Sequence, residues 1–199
     1  MHTRLVSFTG AKNIDKGVDY VREEVVPNLN AQHGYRGVTI SGDRSGGVLG
    51  VLSLWETEAD REASESALAK NRQEGLAIIG GEMTVETFEQ LLAEISERPV
   101  VGSPLMVTRI SMEPTKIDEN LDFFKSDVLP RIKATPGFRS LRNMMNRQTG
   151  HGIVGVVWSD REAMESAAAL APSRRQPAID RGVRFQGDSY REILLVDLR

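Results

Sequence analysis

Cysteine is absent from this 199-residue chain. Its absence removes disulfides, thiolate nucleophiles, iron–sulfur clusters and thiolate metal sites at once. Histidine is scarce, with only His2, His33 and His151. None has a second histidine or a carboxylate at ligand spacing, so no metal site is expected. No window approaches the roughly 18 apolar residues of a membrane span, and Met1-His2-Thr3-Arg4-Leu5 runs straight into a strand without a signal-peptide stretch. Neither sign of charge dominates: 25 basic against 28 acidic residues leave a net charge of −3. The basic residues are scattered rather than gathered into a nucleic-acid footprint. There is no Gly-rich phosphate loop, no Ser-His-Asp set and no paired acid dyad. These absences lead us to expect a cytoplasmic globular protein with no cofactor, no bound metal, and neither nucleic acid nor membrane as partner.

What is present is a repeat. Ile14-Asp15, Asp19, Val25, Pro27, Ala31, Gly34, Arg36, Arg44, Gly47, Val51 and Trp55 recur as Ile117-Asp118, Asp122, Val128, Pro130, Ala134, Gly137, Arg139, Arg147, Gly150, Val154 and Trp158, a constant offset of 103. A fixed internal period sets architecture more firmly than any single motif. The length suits two units of about 100 residues. The repeats are placed at 1–95 and 105–199, with Ser96–Pro104, rich in Pro, Gly and Ser, as linker.

Each repeat reads as the same series of elements. Leu5–Phe8 is a first strand. A helix from about Asp15 carries Val18, Val21, Val25 and Leu29 on one stripe, matched by Leu121, Phe124, Val128 and Ile132. Pro27 and Pro130 predict a kink in both helices, and Gly34 and Gly137 predict their ends. Hairpins follow at 35–55 and 138–158. Second helices open on Asp60-Arg61-Glu62-Ala63 and Asp160-Arg161-Glu162-Ala163, with Thr57 and Ser159 as N-caps. Pro172 and Pro177 are expected to break or bend the later one. Last strands fall near Val85–Leu92 and Tyr190–Leu198. The order β-α-β-β-α-β, twice, is the ferredoxin-like plan. It gives an α+β fold of two ferredoxin-like repeats packed sheet-to-sheet as a pseudo-twofold α/β barrel, because each sheet has one bare face that needs covering.

Gly34-Tyr35-Arg36-Gly37, Pro136-Gly137-Phe138-Arg139, and Trp55 and Trp158 ahead of their Asp-Arg-Glu-Ala segments resemble the dimeric α/β-barrel superfamily, particularly antibiotic biosynthesis monooxygenase-like proteins. The resemblance covers nearly the whole chain, one copy per half. It implies a barrel that one chain completes for itself, as a monomer or homodimer. The family spans cofactor-free oxygenases, haem-degrading enzymes, isomerases and proteins with no assigned role, so fold does not choose the chemistry. Haem-degrading relatives use an Asn on the first strand, a Trp on the third and a His on the second helix. Only the Trp is in place here, which argues against haem.

The candidate pocket residues are Tyr20, His33, Tyr35, Arg36 and Trp55 in the first copy, and Arg139 and Trp158 in the second. The tryptophans either line a pocket or pack strand three against the helices. The arginines either orient an anionic substrate or pair on the surface with acids such as Asp19 and Asp122. Replacement of His33 by Pro136 and of Tyr35 by Phe138 points to one working copy, with the first favoured. Met112, Met144 and Met145 are expected to fill the interface between repeats. No catalytic residue is assignable from this pattern. The leading function is a cofactor-independent monooxygenase-like enzyme acting on a small aromatic or phenolic molecule. The alternative is a non-catalytic small-molecule-binding or stress-related scaffold, with haem degradation ranked last.

Overall fold

The apolar alternation and turn chemistry of each repeat resolve into eight strands and seven α-helices in a computed structural model that describes residues 1–199. The first repeat runs β1 (His2–Thr9), α1 (Ile14–Tyr20), α2 (Val26–Asn30), β2 (Tyr35–Asp43), β3 (Val48–Trp55), α3 (Glu58–Ala63), α4 (Glu65–Ile79) and β4 (Glu82–Ile95). The second runs β5 (Pro104–Ser111), α5 (Ile117–Phe123), α6 (Leu129–Lys133), β6 (Phe138–Met145), β7 (His151–Trp158), α7 (Arg161–Ile179) and β8 (Arg184–Leu198). Hydrogen bonding follows the order β1-β3-β2-β8-β5-β7-β6-β4 and closes into a barrel. That order is the ferredoxin-like sequence of strands, 4-1-3-2, written twice. The last strands are longer than the sequence suggests, spanning 82–95 and 184–198.

The chain divides into two compact units. One comprises Met1–Thr87, Val100–Gly102 and Glu192–Arg199; the other comprises Phe88–Pro99 and Ser103–Arg191. In the first, residues 192–198 of β8 pair antiparallel with β2. In the second, residues 89–95 of β4 pair antiparallel with β6.

Both proline positions produce wide turns rather than simple kinks. Pro27 and Pro130 sit in the first turn of α2 and α6, and π-helical turns, Val21–Val25 and Phe124–Val128, precede them. A proline has no N–H to give the carbonyl four residues back. The ladder shifts to i→i+5 bonds ahead of it, Val26 N–H donating to Val21 and Leu129 N–H to Phe124. The helices end at Asn30 and Lys133, short of the glycines expected to stop them. Gly34 and Gly137, at φ 69° and 82°, turn the chain into the next strand instead. Helix α7 runs through Pro172 and Pro177 without breaking.

Each hairpin opens with an aromatic pair, Tyr35 opposite Trp55 and Phe138 opposite Trp158, followed by a bulge at Arg36 and Arg139. The extra residue of a bulge leaves the ladder and is re-aimed, and this sets both arginines apart from the aromatic pair beside them.

Candidate functional site

Within the second unit, the stripe of α5, its π-turn and α6 stands over β5, β6 and β7 but does not fill the space between. Leu121, Phe124, Val128 and Ile132 line a cavity of about 170 Å³ together with Val154, Trp158 and residues of α7. A dry apolar cavity of about 150 Å³ accepts one benzene ring, so the space suits a small, flat molecule. Most of the wall is hydrocarbon. Three of its side chains carry polar atoms buried without a partner: Trp158 Nε1, Asn143 Oδ1 and Asn120 Oδ1. Each belongs to a side chain at least nine-tenths buried, and each lacks a hydrogen-bond partner. Buried polar atoms are nearly always paired, and an unpaired one costs about 1–3 kcal/mol. All three belong to side chains of the lining, Asn120 from α5 and Asn143 and Trp158 from the facing strands. The other end of the Asn120 amide is fixed by donation from Nδ2 to Lys116 O at 3.0 Å.

Charged groups stand at the same cavity. Asp127, Arg131, Arg174 and Arg175 are all on its lining. Arg175 makes two bonds to Asp188, at 2.7 and 2.8 Å, and stacks over Phe185 at 4.6 Å. Thr108, on β5, donates to the same carboxylate at 2.7 Å. Arg174 Nη1 donates to Thr135 Oγ1 at 3.1 Å, and that hydroxyl donates to Arg131 O at 2.9 Å.

The first unit packs the equivalent positions shut. Register identifies them: Val51 faces Val6 and Ile40, while its counterpart Val154 faces Thr108 and Asn143. Ile40 is fully buried where Asn143 stands in the second copy. Gly17 replaces Asn120, and a Cβ there would come within 2.5 Å of Ile79. The residue matching Met106 is Arg4, whose guanidinium donates to Ser64 Oγ at 3.0 Å and Arg61 O at 2.6 Å and lies 5.7 Å from the Trp55 ring. Burial lowers its pKa. Large and small residues have also changed strands. The pair Gly42–Leu49 of the first copy becomes Met145–Gly152 in the second.

The sequence candidates fall in different places. Trp55 is fully buried, donates from Nε1 to Ser53 Oγ at 3.0 Å, and meets Tyr35 edge-on at 5.7 Å. Trp158 has the matching contact with Phe138, 6.3 Å between centroids, but its N–H is unpaired and it lines the cavity. Tyr35 is buried with its hydroxyl unpaired, and burial raises its pKa. Tyr20 lies between helices, donating to Glu74 at 2.8 Å; its pKa is also raised by burial. Arg36 pairs with Glu56, and Arg139 with Glu97 at 3.3 Å, rather than with Asp19 or Asp122. Asp19 pairs instead with Arg22. His33 is exposed and bonded to Asp60 Oδ1 at 2.6 Å. Asp60 closes a capping box with Thr57 on α3, and the Thr57 hydroxyl, then His33, hold its carboxyl below the ordinary range. His33 therefore braces a helix start. Met112 and Met145, expected between repeats, line this cavity. No group of three His, Asp or Glu side chains is disposed to hold a metal ion.

Sequence reasoning missed Asn120, Asn143 and the arginines of α6 and α7. The signal for the amides was within reach: at the offset of 103 they replace Gly17 and Ile40, the only such substitutions that put an amide on an inward stripe of a helix and a strand.

Comparison with known proteins finds the architecture repeatedly. A candidate monooxygenase from Fusobacterium nucleatum superposes with a TM-score of 0.72 at 11% identity, over 100% of this chain and 94% of that one. An anthrone oxidase-like protein gives 0.70 at 16% identity, over 99% and 92%. A haem-binding protein from Thermus thermophilus gives 0.55 at 12% identity, over 98% and 91%. The fold is that of ferredoxin-like proteins related to antibiotic biosynthesis monooxygenases, in tandem. At such identities the likeness extends to fold alone. Two uncharacterised Mycobacterium tuberculosis proteins are similar in sequence, one 29% identical over 76% of this chain and 68% of its own length, the other 28% identical over 91% and 72%. No family profile matches the chain. No helix is long and apolar enough to cross a membrane.

Proposed function

We propose that the second repeat binds a small, flat, largely apolar molecule with an ionisable oxygen or carbon acid, and oxidises it with molecular oxygen and no cofactor. The observation that carries this reading is the set of three unpaired buried polar atoms, Trp158 Nε1, Asn120 Oδ1 and Asn143 Oδ1, on side chains that line a mostly hydrocarbon cavity. Donors preset around a dry site stabilise a developing oxyanion far better than water does. Trp158 supplies an N–H, and rotation of the Asn143 amide about its terminal torsion presents either an N–H or a carbonyl. Asp127, the one carboxylate on the lining, is assigned to accept the substrate proton. The chemistry then balances within substrate and oxygen: an activated CH₂ loses a proton, its carbanion passes electrons to O₂, a C–O bond forms, and cleavage of the O–O bond leaves a carbonyl and one water. Resemblance to an anthrone oxidase-like protein supports this reaction class.

Haem does not suit these residues. The lining has no His, Cys or Tyr to act as axial ligand, and a single-ring cavity is too small for a tetrapyrrole. A binding role without turnover has one observation in its favour, the exposed position of Asp127. Oxygen uptake separates the two readings. With a one-ring phenol, whose dienone tautomer holds the activated CH₂, the wild type at neutral pH is expected to consume O₂ and to lose that activity at least tenfold on Trp158→Phe or Asn143→Leu. Binding of such compounds without oxygen uptake would leave a binding protein.

A further inference from the structure

We infer that the ligand of this cavity is an organic anion: a small planar carboxylate whose apolar body enters the cavity and whose charged group is met by Arg131 and Arg174. This deepens the reading above and rests on the same cavity. Three arginines and one aspartate stand on the lining. Arg175 is neutralised by its two bonds to Asp188, both side chains being mostly buried. Arg131 and Arg174 have no such carboxylate. Thr135 links the Arg174 side chain to the Arg131 backbone: its hydroxyl accepts from Arg174 and donates to the Arg131 carbonyl. Thr135 is itself buried, so the Arg174 guanidinium is anchored at one N–H and has four others to offer. Arg174, anchored by Thr135, and Arg131, which has no ion pair with Asp127 or any other acid, give the cavity margin two guanidinium forks of the kind that carboxylates fit.

The first repeat supplies the contrast. At the offset of 103 Arg131 becomes Asn28; at the offset of 100 that relates the second helices, as Asp60 to Asp160, Arg174 becomes Glu74. Asn28 bonds to Asn71 at 3.1 Å, and Glu74 accepts from Tyr20. Where the space is packed, these two cations are gone, and the buried guanidinium of that copy, Arg4, is committed to Ser64, Arg61 O and Glu65. The same divergence that opened the second cavity gave it its cations, and the two changes make sense together only for a ligand that is both apolar and anionic.

The test is calorimetric titration of the full chain at neutral pH with benzoate and with its methyl ester, two probes that share one ring and differ in charge. The wild type is expected to bind the acid about tenfold more tightly than the ester, in keeping with a charge-assisted bond at a partly solvated site. Arg131→Gln/Arg174→Gln should bring the acid down to the affinity of the ester and leave the ester unchanged. These side chains are outside the apolar core, so the melting temperature serves as a control for folding. Raising salt from low to high concentration should weaken the acid alone. Equal binding of acid and ester, or an acid preference that survives both substitutions, overturns the anion assignment and leaves the cavity reading standing. Binding of neither probe overturns both.

Discussion

The two copies of the repeat share a helix stripe, a π-turn, a proline, a bulge and a tryptophan, yet one has a packed interior and the other a lined hollow. In the first copy Val18, Val21 and Leu29 are buried against Ile40, Leu49 and Ile79, and Trp55 has its N–H satisfied by Ser53. In the second, the corresponding stripe borders the cavity and Trp158 keeps an unpaired N–H. The decisive differences are few. Ile40 against Asn143 and Gly17 against Asn120 account for the amides, and the exchange of Gly42–Leu49 for Met145–Gly152 alters which strand supplies bulk. A duplicated scaffold can relax one interior toward function while the other carries stability, since unpaired buried groups that serve a ligand subtract from the stability of the free protein.

Reciprocal substitutions break this comparison most sharply. Ile40→Asn should be the most damaging, costing about 4 kcal/mol, because it deletes a fully buried aliphatic side chain and leaves an amide with no partner and no ligand; urea denaturation measures it. Tryptophan replacement comes next. Trp55→Phe should cost about 2 kcal/mol through lost volume and a lost hydrogen bond, whereas Trp158→Phe should cost less than about 1 kcal/mol and weaken ligand binding instead. Asn143→Ile, which rewrites the second copy toward the first, should raise stability by about 1 kcal/mol and abolish binding. A loss of stability there would show that Asn143 supports the fold.

The smallest effects lie at the helix starts and sharpen the comparison through pH. Asp60 and Asp160 both have lowered pKa values, the first from the Thr57 hydroxyl and then His33, the second from the Ala163 amide and then the Ser159 hydroxyl. A carboxyl lowered in the folded state adds stability above its unfolded pKa of about 4 and loses it as pH falls through the folded value. Asp60→Asn and Asp160→Asn should each flatten the fall of melting temperature below about pH 4. His33→Ala should do so weakly, in the first copy alone, because Pro136 occupies the matching position in the second.

The repeat, the strand order and the hairpins were legible because spacing and turn residues carry them locally. The kink at Pro27 and Pro130 was legible as a position; its form, a π-turn, depends on which carbonyls find donors. The bulge that re-aims Arg36 and Arg139 was not legible, and so their partners, Glu56 and Glu97, were missed. The site was read least well. Tyr35, Arg36 and His33 draw attention by residue type, but packing determines where space remains, and space here depends on the volumes of Ile40, Leu49, Asn143 and Gly152. An Asn in a strand gives no periodic signal of its own. Only the alignment of one copy against the other reveals that it replaces a core isoleucine.

The most direct test of the unequal repeats uses the two indole N–H resonances of the ¹⁵N-labelled protein, assigned with Trp158→Phe. Titration with benzoate should shift the Trp158 signal progressively and leave the Trp55 signal in place, since that N–H is already bonded to Ser53 inside a packed core. A shift of Trp55 alone, or equal shifts of both, would place the ligand in the first repeat or in each, and would contradict the division of one chain into a structural copy and a binding copy.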